Sequence, residues 1–406
     1  MLKKCLQNNQ ILKSSFDRAA RKFLNKNAIT EYQLDHSKYD PNKSSEYLSR
    51  YIDIILQQSN KVKTGVITEE DIDPIMIVFK FLESRDVFQE YICRSLSKRL
   101  CRSELILDDG ELLFIQKLKE VCGAEYTNKL KQLFEDWKTS KSYTQGKFKE
   151  YMQSQKSSGP EMNINVFRSS IWPYATNNVL IAPNEMKPYI RHFEKFYSDM
   201  YTNRKLNWIN SHGRAEIVTH GFSKQFVFVV SSIEATVLLL FNNAELYTFQ
   251  RIKKKVPVPE ATLAQIMHIF VMSRLVVQIP ASTGSRTEQI ESINDATVFK
   301  IYNDYNNKKL RINLNVPIKN ELKTDNNNIN RHIDEDRKTL LQAIIVKFVK
   351  TNKVCSLADI VNESKRATIG HFQITDFYIK KVIDGLVDKE YLTRDEPNKE
   401  IYHYVA

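Results

Sequence analysis

The chain changes its hydrophobic period at Ser157-Ser158-Gly159-Pro160, and this change constrains the fold more than any other feature. Before it, apolar residues recur with the period of a helix. Leu12, Phe16, Ala19 and Phe23 stand at i, i+4, i+7 and i+11. A break at Pro41 to Ser45 precedes Leu48, Ile52 and Leu56. A third pattern starts near Glu69, runs through Met76, Phe79, Phe81 and Leu82, and continues to Leu100. After the turn signal Asp108-Asp109-Gly110 come Ile115, Leu118 and Cys122, then Leu130, Leu133 and Trp137. Long helices with short connections predict an antiparallel four-helix bundle over residues 1–156.

Beyond the break the pattern is mixed, so the predicted class is α+β and mostly helical. A small α/β sheet domain is expected over 160–231. Asn163 to Phe167 alternates like a strand, Glu185 to Tyr201 reads as a helix, and Ala215 to His220 and Gln225 to Val230 read as adjacent strands around Gly221. Residues 232–318 follow a winged-helix order. Helices come first, with Leu263, Ile266, Met267 and Phe270 as one stripe. A hairpin of Thr297 to Ile301 with Leu310 to Leu314 then closes the unit over the polar tip Asn303 to Lys309. Residues 319–332 are polar and Asn-rich and read as a flexible linker.

The tail, 333–406, repeats the winged-helix order. Leu341, Ile344, Ile345 and Phe348 form one helix face, Leu357, Ile360 and Val361 a second, and Ile379, Val382, Ile383 and Leu386 a third. Tyr391 to Arg394 and Ile401 to Tyr404 make its hairpin.

Enzyme motifs are missing from this pattern. No GxSxG, P-loop or GxGxxG is present, and only ten glycines occur, without clustering. The five cysteines, at 5, 93, 101, 122 and 355, form no CxxC pair, and the histidines form no HExxH, so neither a metal nor a cofactor is expected. Reduced, buried thiols of a cytoplasmic and nuclear protein are the expectation. No apolar run approaches a membrane span, and Lys3 and Lys4 are not followed by a secretory apolar region.

The net charge of +12 invites a nucleic-acid reading, and half of it lies in Met1 to Asn27, with seven Lys and Arg against Asp17. The helix that would read bases argues against it. Thr375 to Asp388 carries two lysines against three aspartates and no Arg, Asn or Gln. A nucleic-acid-binding winged-helix protein is therefore the disfavoured alternative.

One lysine stands out by geometry. Lys350 lies about 180° from Leu341 on a helical wheel of about 100° per residue, so it points to solvent near the end of its helix. On geometry alone its ordinary role is to meet the negative end of the helix dipole.

Several segments resemble the cullin family, the scaffolds of multi-subunit ubiquitin ligases. Ile345-Val346-Lys347-Phe348-Val349-Lys350 is similar to the family's I-V-R-x-M-K segment. The ending Glu390-Tyr391-Leu392, Arg394-Asp395 and Tyr402 to Ala406 follows a pattern that runs to Y-x-Y-x-A. Asp86-Val87-Phe88 with Leu96 to Leu100 resembles D-V-F and L-A-K-R-L. Cys122-Gly123 with Tyr126 to Leu130 resembles C-G and F-T-S-K-L. Trp172-Pro173, Arg204-Lys205-Leu206 with Trp208, and Leu238 to Asn242 are similar to F-W-P, R-K-L-x-W and L-L-L-F-N. The order and spacing hold from near Leu2 to Ala406.

The resemblance implies a non-catalytic scaffold, with no residue of its own in the chemistry. It makes Lys350 the acceptor of a ubiquitin-like modifier, attached by neddylation. It implies binding of a small RING-finger protein whose amino-terminal strand joins the α/β sheet. That surface is placed on Asn163, Ile164, Asn165, Val166, Phe167, Trp172, Phe226 and Phe228. The RING would bring a ubiquitin-conjugating enzyme, and a deneddylase and a cullin-exchange factor are further implied partners. Some positions depart from the pattern. Ile171 replaces the Phe of F-W-P, Lys347 and Val349 replace Arg and Met beside the acceptor, and Gln57 and Gln58 stand where relatives carry basic residues. The family's larger amino-terminal half has no counterpart in this sequence.

Overall fold

In the computed structural model, residues 9–27, 30, 42–61, 67–102, 109–155, 162–174, 181–209, 212–279, 293–315, 319–396 and 398–405 are described. Cys5, Pro41, Asp108 and the break at Ser157 to Pro160 lie outside them. The chain divides into two compact units, one of Met1–Glu135 with Asp325–Ala406 and one of Asp136–Thr324.

The first unit opens with α1 (Gln10–Asn25), α2 (Lys43–Lys61), α3 (Glu69–Phe79), α4 (Arg85–Arg102) and most of α5 (Asp109–Thr139). The expected continuous helix from Glu69 to Leu100 is in fact two, α3 and α4. The buried amide of Asn25 holds the turn between them. It donates to the Phe81 carbonyl (2.9 Å) and accepts from the Glu83 N–H (3.2 Å), satisfying backbone groups that a continuous helix would pair internally. In α5, Gly123 adopts φ 86°, a left-handed conformation that glycine reaches without strain, and the helix breaks there. Ile52, Phe79, Phe88, Leu96, Leu118 and Leu130 are buried between these helices. Arg99 is buried too, and its guanidinium bonds both oxygens of Glu111 and the carboxylate of Asp53, so three helices share one compensated charge.

The same unit ends with most of α11 (Lys319–Asn352), then β7 (Val354–Ser356), α12 (Leu357–Thr368), α13 (Asp376–Asp388), β8 (Leu392–Arg394) and β9 (Ile401–Tyr404). β9 is central in an antiparallel sheet of order β7-β9-β8. The linker expected at 319–332 is not irregular chain but the amino-terminal part of α11. Polar composition misled here, because Ile329 and Ile333 are buried against Val87 and supply the tertiary packing that a weak helix former needs.

The second unit continues from the end of α5 through a π-helical turn into α6 (Gln145–Ser154), followed by α7 (Lys187–Met200). Phe148, Phe193, Phe196 and Tyr197 form a satellite core between α6 and α7. Next come β1 (Arg214–Val218), β2 (Val227–Ser231), α8 (Ser232–Leu240), β3 (Leu246–Thr248), α9 (Phe249–Lys255), α10 (Glu260–Met272), β4 (Val276–Ile279), β5 (Val298–Ile301) and β6 (Arg311–Asn313).

Two corrections fall in this unit. Among the described residues, Asn163 to Phe167 pairs with no strand. The hairpin expected of Thr297 to Ile301 with Leu310 to Leu314 does not form. β5 instead lies between β3 and β4, antiparallel to both, while β6 runs parallel to β2 in a sheet of order β1-β2-β6. The tip Asn303 to Lys309 is therefore a crossing between sheets. Tyr305 within it is buried, with its ring centroid 5.2 Å from Phe226 and 5.6 Å from Phe228. Burial of that aromatic ring outweighs the local turn preference.

Candidate functional site

Lys350 sits in the last turn of α11. Leu341, Ile345 and Val349, spaced by four, are each 0% exposed and anchor this end of the helix in the terminal core. Ile344 and Phe348 are only half-buried, so the buried face is turned toward Val349 relative to the expected one. Lys350 follows Val349 by about 100° on the wheel and is exposed. Its ammonium lies 5.7 Å from the centroid of the Tyr404 ring, within cation–π range. β9 brings Tyr404 there. It pairs with β7, which follows the helix after Lys353 turns the chain at φ 63°. Lys347 and Lys353 are exposed as well.

In the second unit, Asn163 is exposed and Ile164 to Phe167 are half-buried. Side chains of the preceding helical segment hold this extended run. Ser140 Oγ accepts from the Val166 N–H (2.8 Å), and Gln145 Nε2 donates to Asn165 Oδ1 (3.0 Å). Ile164 and Val166 pack on the Phe148 cluster. Asp136 accepts from the Arg168 N–H (3.2 Å), the Arg168 guanidinium (2.7 Å) and Trp172 Nε1 (3.1 Å). The Phe167 ring stacks on Trp172 at 3.6 Å between centroids. Asp136, Ser140 and Gln145 were not singled out from the sequence. They lie in an ordinary helical pattern, and only the tertiary fold brings them to the extended segment.

Not every predicted contact residue reaches a surface. Phe226 and Phe228 are 0% and 1% exposed in the core of the second unit, and Trp172 is 4% exposed. They shape the sheet and the segment before it but offer no side-chain surface to a partner. What the sheet offers is backbone. β1 pairs with β2 on one side, and no described strand pairs with its other edge. Arg214, Glu216 and Val218 of β1 are exposed, whereas Ala215 and Ile217 pack on the core.

Among the described residues no cluster of His, Cys, Asp and Glu is arranged to hold a metal, and no helix is long and apolar enough to cross a membrane. Of the described cysteines, Cys93, Cys122 and Cys355 are thiols outside any disulfide. The thiol of buried Cys93 is pushed up to about 12 by desolvation, which suits a packing residue and not a nucleophile.

Comparison with known proteins gives the class. Residues 1–144 match the model of the cullin alpha solenoid domain, 166–305 that of the cullin alpha+beta domain, and 336–398 that of the cullin protein neddylation domain. Cullin-1 of Caenorhabditis elegans is 30% identical over 410 aligned residues, covering 100% of this chain and 51% of the relative. Cullin-1 of Schizosaccharomyces pombe is 31% identical, covering 96% of this chain and 49% of the relative. Cullin-4A of Homo sapiens is 29% identical, covering 99% and 50%. The chain belongs to the cullin family and matches its carboxy-terminal half. It spans about half the length of these curated relatives.

Proposed function

We propose that this chain is the partner-docking half of a ubiquitin-ligase scaffold, modified on Lys350 by a ubiquitin-like protein. The observation that carries this reading is the exposed Lys350 ammonium within the match to the neddylation domain, on a helix end held rigid by three fully buried neighbours. A rigid base and an exposed side chain suit isopeptide formation, since the acceptor reaches a conjugating enzyme without unfolding anything.

The edge of β1 that no described strand pairs with, and the extended run 163–167, support the second part of the proposal, docking of a small RING-finger protein. An incoming strand pairs with main-chain groups there. Affinity comes from the ladder and specificity from alternate side chains. The ubiquitin-conjugating enzyme arrives through the RING, and a deneddylase and a cullin-exchange factor act on the same assembly. The scaffold works by raising the effective concentration of one partner near another. In this reading the two repeated helix-and-hairpin domains are winged helices used for protein contacts.

The test is co-purification with the host's small RING protein, followed by reconstituted neddylation of wild type and Lys350→Arg. Complex formation and loss of modification in the variant are expected. Modification that persists in the variant moves the acceptor, with Lys347 next. Failure to bind any RING protein removes the scaffold reading.

A further inference from the structure

The second unit carries a cationic patch built on tyrosines, where the π-helical turn Ser140–Thr144 and α6 meet the end of α7. Residues 138–150 and 187–205 hold nine Lys and Arg against three acids, Glu150, Glu194 and Asp199. Tyr143 and Lys147 stand one helical turn apart, and both are exposed. The Lys147 ammonium donates to the Tyr143 hydroxyl (2.6 Å) and lies 4.2 Å from the centroid of its ring. Across the Phe148 cluster, the Tyr197 and Tyr201 rings are 4.9 Å apart between centroids. The exposed guanidinium of Arg204 lies 4.0 Å from the Tyr201 centroid. The Tyr201 phenol is within electrostatic reach of Lys147 as well, so one tyrosine links the two cations.

What this patch leaves unmet is charge. Arg168 and Arg311 of the same unit bind the carboxylates of Asp136 and Glu216. Among the described residues neither Lys147 nor Arg204 forms an ion pair, and their partners are phenols. Glu150 acts on Lys147 only from a distance, behind the Tyr143 hydrogen bond. A neutral hydroxyl orients a cation and leaves its charge in place. One face of Tyr143 and one of Tyr201 are taken by these cations, which favours an anion over a stacked nucleobase as the ligand. A phosphomonoester carries about −1.5 to −2 charges at pH 7 and three acceptor oxygens, which match two cations and a planar guanidinium fork. A carboxylate neutralises only one of them. The groups lie on open surface, where a small anion stays hydrated, whereas a chain flanking the phosphate excludes water. Half-buried Leu206 and Trp208, close in sequence to Arg204, supply apolar ground for that chain.

We propose that the surface of Tyr143, Lys147, Tyr201 and Arg204 docks a phosphorylated segment of a partner protein, with the phosphate taken by Lys147 and Arg204. Docking there is independent of the scaffold reading and of any modification of Lys350.

Fluorescence anisotropy on the full chain tests it, with a labelled neutral peptide that carries one phosphoserine, at about 0.15 M salt. The phosphopeptide should bind at least about tenfold tighter than the same peptide without phosphate. Lys147→Gln and Arg204→Gln should each weaken it about tenfold, the loss of one charge-assisted hydrogen bond, and leave the unphosphorylated peptide unaffected. Arg204→Lys, which keeps the charge and loses the fork, should fall between wild type and Arg204→Gln, and it serves if Arg204→Gln does not fold. Lys187→Gln, at the far end of α7, should bind as wild type does. Equal binding of the two peptides, or wild-type affinity in both Lys147→Gln and Arg204→Gln, would overturn the proposal. So would an equal loss in Lys187→Gln, which means diffuse charge and no site. Complete displacement of the peptide by an equal concentration of inorganic phosphate would make the ligand a free anion, and tighter binding of a single-stranded oligonucleotide would make it a nucleic acid. Either result removes the docked segment. No RING protein or modifier enters these measurements, so failure of the scaffold reading leaves them unchanged.

Discussion

Residues 232–301 and 341–404 present the same element order twice: helix, strand, two helices and two strands. In each sheet the last strand lies between the other two, β3-β5-β4 and β7-β9-β8. They differ in what they share. The first domain has no core of its own. Phe249, Ile252, Phe270 and Phe299 belong to one buried cluster with Phe226, Phe228 and Val230 of the neighbouring sheet, and β6 returns to pair with β2. The second encloses a separate core around Leu341, Ile345, Ile383 and Tyr402 and meets the bundle through α11 and the His371 loop. One topology thus serves as a fused part in one place and as an anchored module in the other. The shared core decides which.

Core truncation gives the largest test of that contrast. Phe299→Ala should cost about 3–5 kcal/mol and Ile345→Ala about 2–5 kcal/mol. The informative readout is where protection from amide exchange is lost. Phe299→Ala should expose β1 and β2 together with the first domain, whereas Ile345→Ala should leave β1 and β2 protected. Loss of β1 protection in Ile345→Ala would break the comparison.

Acid should act on the bundle helices α4 and α5, on which the second domain rests. Burial raises the Glu90 carboxyl, yet Lys129 at 2.9 Å and Arg94 at 3.0 Å outweigh it and bring it below its ordinary value of 4.5. A depressed carboxyl contributes stability that is present above the ordinary value and is lost as pH falls through the folded one. Asp336 has the opposite sign. Its contribution is present below the ordinary carboxylate range and disappears as pH rises through its raised value. Melting of the chain from pH 7 down to pH 3 should therefore show an acid-sensitive part that is reduced in Glu90→Gln. An identical pH profile in wild type and variant would show that the pair carries no linkage.

The smallest effects sharpen the likeness between the domains. Thr248 and Ser356 end β3 and β7 and cap the following helices, accepting from the Arg251 and Asp359 N–H groups at 3.2 Å each. Replacing either by Ala should cost about 1 kcal/mol, read as a shift in the denaturant midpoint at constant slope. A cost confined to one of them would show that equivalent caps are not energetically equivalent.

Much of this was legible in residue patterns, and the misses share a cause. The helices of the terminal domain and the exposure of Lys350 follow from 3.6-residue spacing. The misplaced hairpin partner came from reading Leu310 to Leu314 as local, when its strand pairs with residues more than eighty positions earlier. The supposed linker failed for the same reason. Its Asn-rich composition is weakly helical, and burial of Ile329 and Ile333 against Val87 decides its state. The resemblance assigns the whole sheet segment, with Phe226 and Phe228, to a receiving surface, and strand alternation does not say which of its two faces is covered. The second layer covers theirs.

By itself, then, the sequence determined the helical start, the α+β change after Pro160, the membership in the cullin family and the outward direction of Lys350. These depend on periodicity and short motifs, which are local. Tertiary structure alone decided that β6 joins β2, that Asp136 organises the segment from Arg168 to Trp172, and that Arg337 reaches Asp86 across 251 positions of chain. Each of these joins groups distant in sequence. Burial and the need to satisfy desolvated polar groups select such pairs, and neither acts until the chain has folded.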